Sequence, residues 1–152
     1  MTRQIAALFI TTFALLLLSA PAPAQQFEDI GDYRVHYNAL NTSMLPPEVA
    51  RAYGIQRAGN RALLNIAVLR KAESENELDE SVTAEVSARV INLTGQRREI
   101  ELQEIEDQDA IYYVGTFRIH DEESLTFTLS VKPDDSDEPA HEITFRQQFF
   151  TD

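Results

Sequence analysis

From residue 82 to residue 90 apolar and polar side chains alternate without a break. Val82, Ala84, Val86, Ala88 and Val90 fall on one side, and Thr83, Glu85, Ser87 and Arg89 on the other. A period of two is what a strand with one wet face requires. Residues 125–132 repeat the pattern, with Leu125, Phe127, Leu129 and Val131 facing in and Thr126, Thr128, Ser130 and Lys132 facing out. Further strand-like runs cover residues 33–40, 62–70, 98–105, 110–120 and 142–150. Polar turns such as Gly31-Asp32 and Asn92-Leu93-Thr94-Gly95, and an acidic loop over residues 133–139, separate them. About seven short strands with no long helical pattern after residue 24 predict an all-β fold, an antiparallel β-sandwich of immunoglobulin-like type. A barrel is the alternative. The Cys and Trp hallmarks of true immunoglobulin domains are absent, so only the architecture is implied.

Two features break this simple pattern. Residues 41–54 read as a short helix set between the first two strands. Pro47 suits its first turn, Glu48 its positive end, and Gly54 its stop. The second strand is apolar on both faces: Leu64, Ile66 and Val68 point one way, and Leu63, Ala67 and Leu69 point the other, with Asn65 the single polar member there. The fifth strand adds Tyr112 and Val114 to that second face. A sandwich strand normally shows water one face. The expectation is that the helix packs over this outer face through Leu45, Val49, Ala52 and Tyr53, at three- and four-residue spacings. Asn65 should then be buried beneath it and bonded to backbone groups. The alternative is that the helix caps one end of the sandwich and a partner covers the patch.

The ends of the chain and its charge narrow the class. Residues 1–24 read as a cleavable signal peptide: Arg3 precedes an uncharged apolar stretch, Pro21 breaks it, and Ala22-Pro23-Ala24 offers small residues at a cleavage site. The apolar stretch, residues 5–20, falls short of the roughly 20 residues a spanning helix needs. The mature protein is expected to start at Gln25, as a single β-sandwich domain over residues 25–152. Cleavage removes Arg3 and no acid, taking the formal charge from −12 to −13. Such a domain is repelled by nucleic acid and anionic lipid heads, so neither nucleic acid nor a membrane is expected as a partner. The chain has no cysteine, which excludes a disulfide scaffold, a thiol nucleophile and a thiolate metal site.

Candidate chemistry is sparse. The three histidines, His36, His120 and His141, have no metal-ligand spacing and sit in no catalytic motif. The run Asp134-Asp135-Ser136-Asp137-Glu138 lacks the spacing and central glycine of a calcium-binding loop and reads as a solvated hairpin. No nucleophile elbow and no phosphate-cradling glycine loop occur, and no catalytic residue, metal or cofactor is expected. If a binding site exists, it is expected near His36, Asn38, Asn41 and Arg61. Polar groups gather there, where the first strand meets the irregular connection, and binding residues favour loops on a rigid scaffold. Against this, Asn38 and Asn41 could simply satisfy backbone groups in the turn.

Four runs carry a resemblance: Val35-His36-Tyr37-Asn38-Ala39-Leu40-Asn41; Leu45-Pro46-Pro47-Glu48-Val49-Ala50-Arg51-Ala52-Tyr53-Gly54-Ile55; Asn60-Arg61-Ala62-Leu63-Leu64-Asn65-Ile66; and Phe145-Arg146-Gln147-Gln148-Phe149-Phe150-Thr151-Asp152. With these the sequence resembles the family catalogued as domain of unknown function 4426. The resemblance implies a small exported protein of Gram-negative bacteria, hence periplasmic, and implies no reaction and no catalytic residues. The expected role is therefore a non-catalytic binding or interaction module for an unknown periplasmic protein or small ligand. A structural or assembly accessory of a cell-envelope complex and an enzyme of unrecognised type are the alternatives.

Overall fold

The computed structural model describes residues 26–151. Ten strands, a 3-10 turn and one α-helix follow one another. The strands are β1 (Gln26–Ile30), β2 (Tyr33–Asn41), β3 (Arg61–Arg70), β4 (Glu80–Ser81), β5 (Ala84–Asn92), β6 (Arg97–Ile100), β7 (Gln103–Asp107), β8 (Ala110–Arg118), β9 (Glu123–Pro133) and β10 (His141–Phe149). The 3-10 turn Thr42–Met44 and helix α1 (Pro47–Ala52) lie between β2 and β3. One sheet runs β1-β2-β3-β8-β7, with β4 pairing on β3, and the other runs β10-β9-β5-β6. Every pairing is antiparallel. The leader and the Gln25 start fall outside the described residues.

The two sheets bury one core between them. Val35, Leu64, Ile66 and Val68 enter it from the first sheet, and Val90, Leu125, Phe127, Leu129, Val131 and Ile143 from the second. All are at most 1% exposed. Phe127 stacks on Phe145 with centroids 4.5 Å apart, and Phe117 meets Phe127 and Phe149 edge-on. With no disulfide, this burial is what holds the sheets together. Polar ties support it at the edge: Gln147 Nε2 donates to the Ala39 carbonyl at 2.8 Å, and His141 Nε2 lies 2.9 Å from Glu28 Oε1.

The count of about seven strands is corrected to ten for three reasons. β1 carries no clean alternation, and β4 is two residues long, so neither announces itself in the sequence. The expected strand over residues 98–105 is two strands in different sheets. β6 pairs with β5, β7 pairs with β8, and only Glu101 and Leu102 separate them. The chain crosses between sheets directly over Gly115 of β8, where a Cβ would collide with the Glu101 carbonyl oxygen and the Ile100 side chain. Ile100 and Leu102 keep one phase of the alternation and Ile105 takes the other, so a shift of phase across Gln103 and Glu104 is the mark of the crossing.

Candidate functional site

The outer face of the first sheet is a ladder of mixed polarity. Strand register sets Asn38 opposite Asn65 and Leu40 opposite Leu63 across β2 and β3. Asn65 then faces Val114, and Leu63 faces Thr116, on β8. β7 extends the rows with Gln103 beside Val114 and Ile105 beside Tyr112. This face carries five apolar residues near its centre, Leu40, Leu63, Ile105, Tyr112 and Val114, which water would cover unfavourably.

The connection from β2 to β3 folds back over that face, and three local devices fix its path. Thr42 is fully buried. Its Oγ1 accepts the Ala58 N–H at 2.9 Å and has the Ala58 and Arg61 carbonyls at 3.2 Å, pinning both ends of the excursion. Pro47 opens α1, where a missing N–H costs nothing. Gly54, at φ +66, closes it: its N–H reaches the Arg51 carbonyl, and the Ile55 N–H reaches the Ala50 carbonyl at 2.7 Å. A left-handed residue at that position is the ordinary helix stop, and it swings Ile55 back towards the sheet. Tyr53 then donates from its hydroxyl to Asp107 Oδ2 at 2.9 Å, tying the helix to the far edge strand. That hydrogen bond to a carboxylate holds the Tyr53 phenol above its ordinary pKa.

The covering is incomplete, and two adjoining clefts remain. The first, of about 310 Å³, is roofed by Leu45, Val49, Tyr53 and Ile55 and floored by Leu63, Asn65, Tyr112 and Val114. Leu63 is 4% exposed, whereas Val49 on the roof is 37% exposed. Asn65 Oδ1 is buried on this floor with no hydrogen-bond partner. The second cleft, of about 450 Å³, shares Tyr53, Ile55, Ile105 and Val114 with the first and adds Arg61, Glu101, Gln103 and Thr116. Arg61 donates from Nη2 to Thr116 Oγ1 at 3.1 Å, while its Nε is buried without a partner. A larger cleft of about 780 Å³ at the other end of the sandwich is bordered by Asp32, Asp135, Asp137, Glu138 and His141. Ile30, Tyr33, Val131 and Pro139 also line it, but its rim is acidic and holds no buried unpaired polar atom among the described residues.

Helix α1 does lie over the outer face, but two details of that expectation are corrected. Ala52 is exposed, and Ala50 is the residue the helix buries. Asn65 finds no backbone partner for its Oδ1, because the helix stands off and leaves a gap above it.

Of the four residues singled out from sequence, Arg61 alone lines either cleft. His36 sits on the outer face of β2 with its ring 5.7 Å from Phe27 and its Nδ1 buried and unpaired. Asn38 is exposed beside Asn65. Asn41 donates to the Phe150 carbonyl at 2.7 Å, a backbone tie to the chain's end. Leu40 and Ile105 were missed as lining residues, since their strand numbering gives no hint that a loop returns over them. Among the described residues no group of three or more His, Asp or Glu side chains is placed to hold a metal ion. Nor is any helix there long and apolar enough to cross a membrane.

The family model described as Domain of unknown function (DUF4426) matches residues 27–152. The crystal structure of a DUF4426 family protein from Pseudomonas aeruginosa PAO1 is 32% identical, at a TM-score of 0.70, covering 84% of this chain and 96% of that one. FetP of uropathogenic Escherichia coli strain F11, recombinantly expressed in the periplasm of E. coli, is 13% identical at a TM-score of 0.59, covering 86% of this chain and 96% of that one. A copper-bound variant of FetP gives 14% and 0.59, covering 84% and 96%. At such identity FetP shares the fold alone. No curated protein is detectably similar to the chain.

Proposed function

The chain belongs to the DUF4426 family, and from that premise we propose that it is a non-catalytic binding module of the periplasm, an immunoglobulin-like sandwich whose site is the cleft beneath α1. The observation that carries this reading is Asn65. Its Oδ1 is buried and unpaired on the floor of an otherwise apolar cleft. A buried acceptor without a partner costs about 1–3 kcal/mol, and native structures keep few of them. A ligand that supplies a donor removes that cost. A concave, mostly apolar site with a few convergent polar groups is what small ligands select.

The groups around the clefts are those of recognition: amides, a guanidinium, the Glu101 carboxylate, phenols and aliphatic side chains. Export rests on the leader pattern of residues 1–24. Copper is not part of this reading. Among the described residues no three His, Asp or Glu side chains are grouped to hold a metal ion.

Methyl-resolved NMR of the exported protein tests the proposal. A panel of N-acetyl amino acids, short peptides and medium-chain fatty acids is titrated in. Shifts are expected at the methyl groups of Leu45, Val49, Ile55, Leu63 and Val114, which line the first cleft. A panel that moves none of these methyls overturns the reading.

A further inference from the structure

We propose that the two adjoining clefts together take the C-terminal end of a short peptide with apolar terminal residues. The apolar side chain lies in the α1 cleft, a peptide N–H meets Asn65 Oδ1, and the terminal carboxylate meets Arg61. This deepens the binding reading above and rests on it.

Arg61 supplies the first argument. The chain carries 25 acidic and 13 basic residues, and four of its ten described arginines lie beside an acid. Arg34, Arg70, Arg89 and Arg98 each lie within 4 Å of a carboxylate. Arg61 has none among the described residues, although its Nε is buried. A guanidinium held by a single hydroxyl, with a buried donor to spare, is matched to a planar anion that arrives from outside. The strongly negative chain repels a polyanion at long range, which favours a ligand with one carboxylate.

Asn65 supplies the second. An acyl chain would also fill an apolar cleft and present a carboxylate. It would, however, bury the Asn65 amide against hydrocarbon, which offers neither a donor nor an acceptor whichever way the amide is turned. A peptide carries an N–H at every residue. The spacing agrees: Arg61 and Asn65 lie on one face of β3, four residues or about 13 Å apart along the strand. A hydrogen bond at each end leaves a gap that one or two extended residues fill. Between them Leu63 forms a buried apolar floor. A cleft of about 310 Å³ admits one or two side chains and no larger segment.

The test compares N-acetyl-alanyl-leucine, its C-terminal carboxamide and octanoate by NMR titration of the exported protein. The free peptide acid is expected to shift the Leu45, Val49 and Leu63 methyls. The carboxamide should bind at least tenfold more weakly, a comparison that needs no variant. Arg61→Gln should bring acid and amide to the same affinity. Asn65→Leu should weaken the peptide acid about tenfold and leave octanoate unchanged or tighter. A carboxamide that binds as well as the acid overturns the proposal. Octanoate binding more tightly than the peptide also overturns it, while leaving the cleft as a binding site. If neither class moves these methyls, the binding reading falls with it.

Discussion

The two faces of β3 are built from neighbouring residues of one strand, yet they solve different problems. Leu64, Ile66 and Val68 point inward and are fully buried against the second sheet. Leu63, Asn65, Ala67 and Leu69 point outward, and of these only Leu63 is buried. A ten-residue strand facing a whole sheet can be packed along its length. The same strand facing one six-residue helix can be covered only where that helix reaches. The inner face is a saturated core. The outer face keeps a gap, a buried unpaired amide oxygen and a guanidinium with no carboxylate beside it, all within one strand's length. Packing density tracks stability, and its local failure marks where a ligand has something to add.

The sharpest test of this comparison deletes the same atoms on each side. Leu64→Ala leaves a sealed void between two sheets and is expected to lower stability by about 2–5 kcal/mol. Leu63→Ala enlarges a cleft already open to solvent, so only the transfer of the lost carbons counts, about 1–2 kcal/mol. Urea unfolding of both variants compares them. Equal losses would make the outer face a second core and end the distinction.

An intermediate effect is expected from the pin that holds the connection. Thr42→Val keeps the shape of the side chain and removes the hydroxyl that serves Ala58 and Arg61. The stranded Ala58 N–H and the carbonyls should cost about 1–3 kcal/mol. The urea midpoint should fall with an unchanged slope, since the same surface is exposed on unfolding. A loss below about 0.5 kcal/mol would show that α1 is held by its apolar contacts alone.

Much of this contrast was legible in the sequence. Period-two alternation marked both faces of β5 and β9, and its absence in β3 pointed to something covering the outer side. Helix punctuation by Pro47 and Gly54 bracketed α1, although the helix expected over residues 41–54 shortens to Pro47–Ala52 behind a separate 3-10 turn. The crossing from β6 to β7 left only a shift of phase, from Ile100 and Leu102 to Ile105, and a shift of one residue does not distinguish a bulge from a change of sheet. Of the candidate site, Arg61 was visible as a polar residue at a strand entrance. The role of Asn65 was only half visible: the pattern showed it beneath the helix, but spacing cannot tell a closed contact from a gap of a few ångströms. His36 and Asn41 illustrate the converse. Their polarity drew attention, whereas Asn41 serves the Phe150 carbonyl and His36 packs against Phe27.

The smallest expected effect is the most telling, because its sign is unusual. Most substitutions destabilise. Asn65→Leu should instead raise stability by about 0.5–1 kcal/mol in the absence of ligand. The amide oxygen it removes has no partner to lose, and replacing an unsatisfied polar group by an apolar one of similar size relieves a desolvation cost. Leucine also suits a half-covered strand better than asparagine and extends the apolar floor between Leu63 and Ala67. The chain would then hold Asn65 at some expense in stability, as binding sites commonly do. Urea denaturation of the variant decides the matter. A loss of 1 kcal/mol or more would mean that the amide is engaged in holding the fold, and the difference between the two faces would then be one of solvation rather than of vacancy.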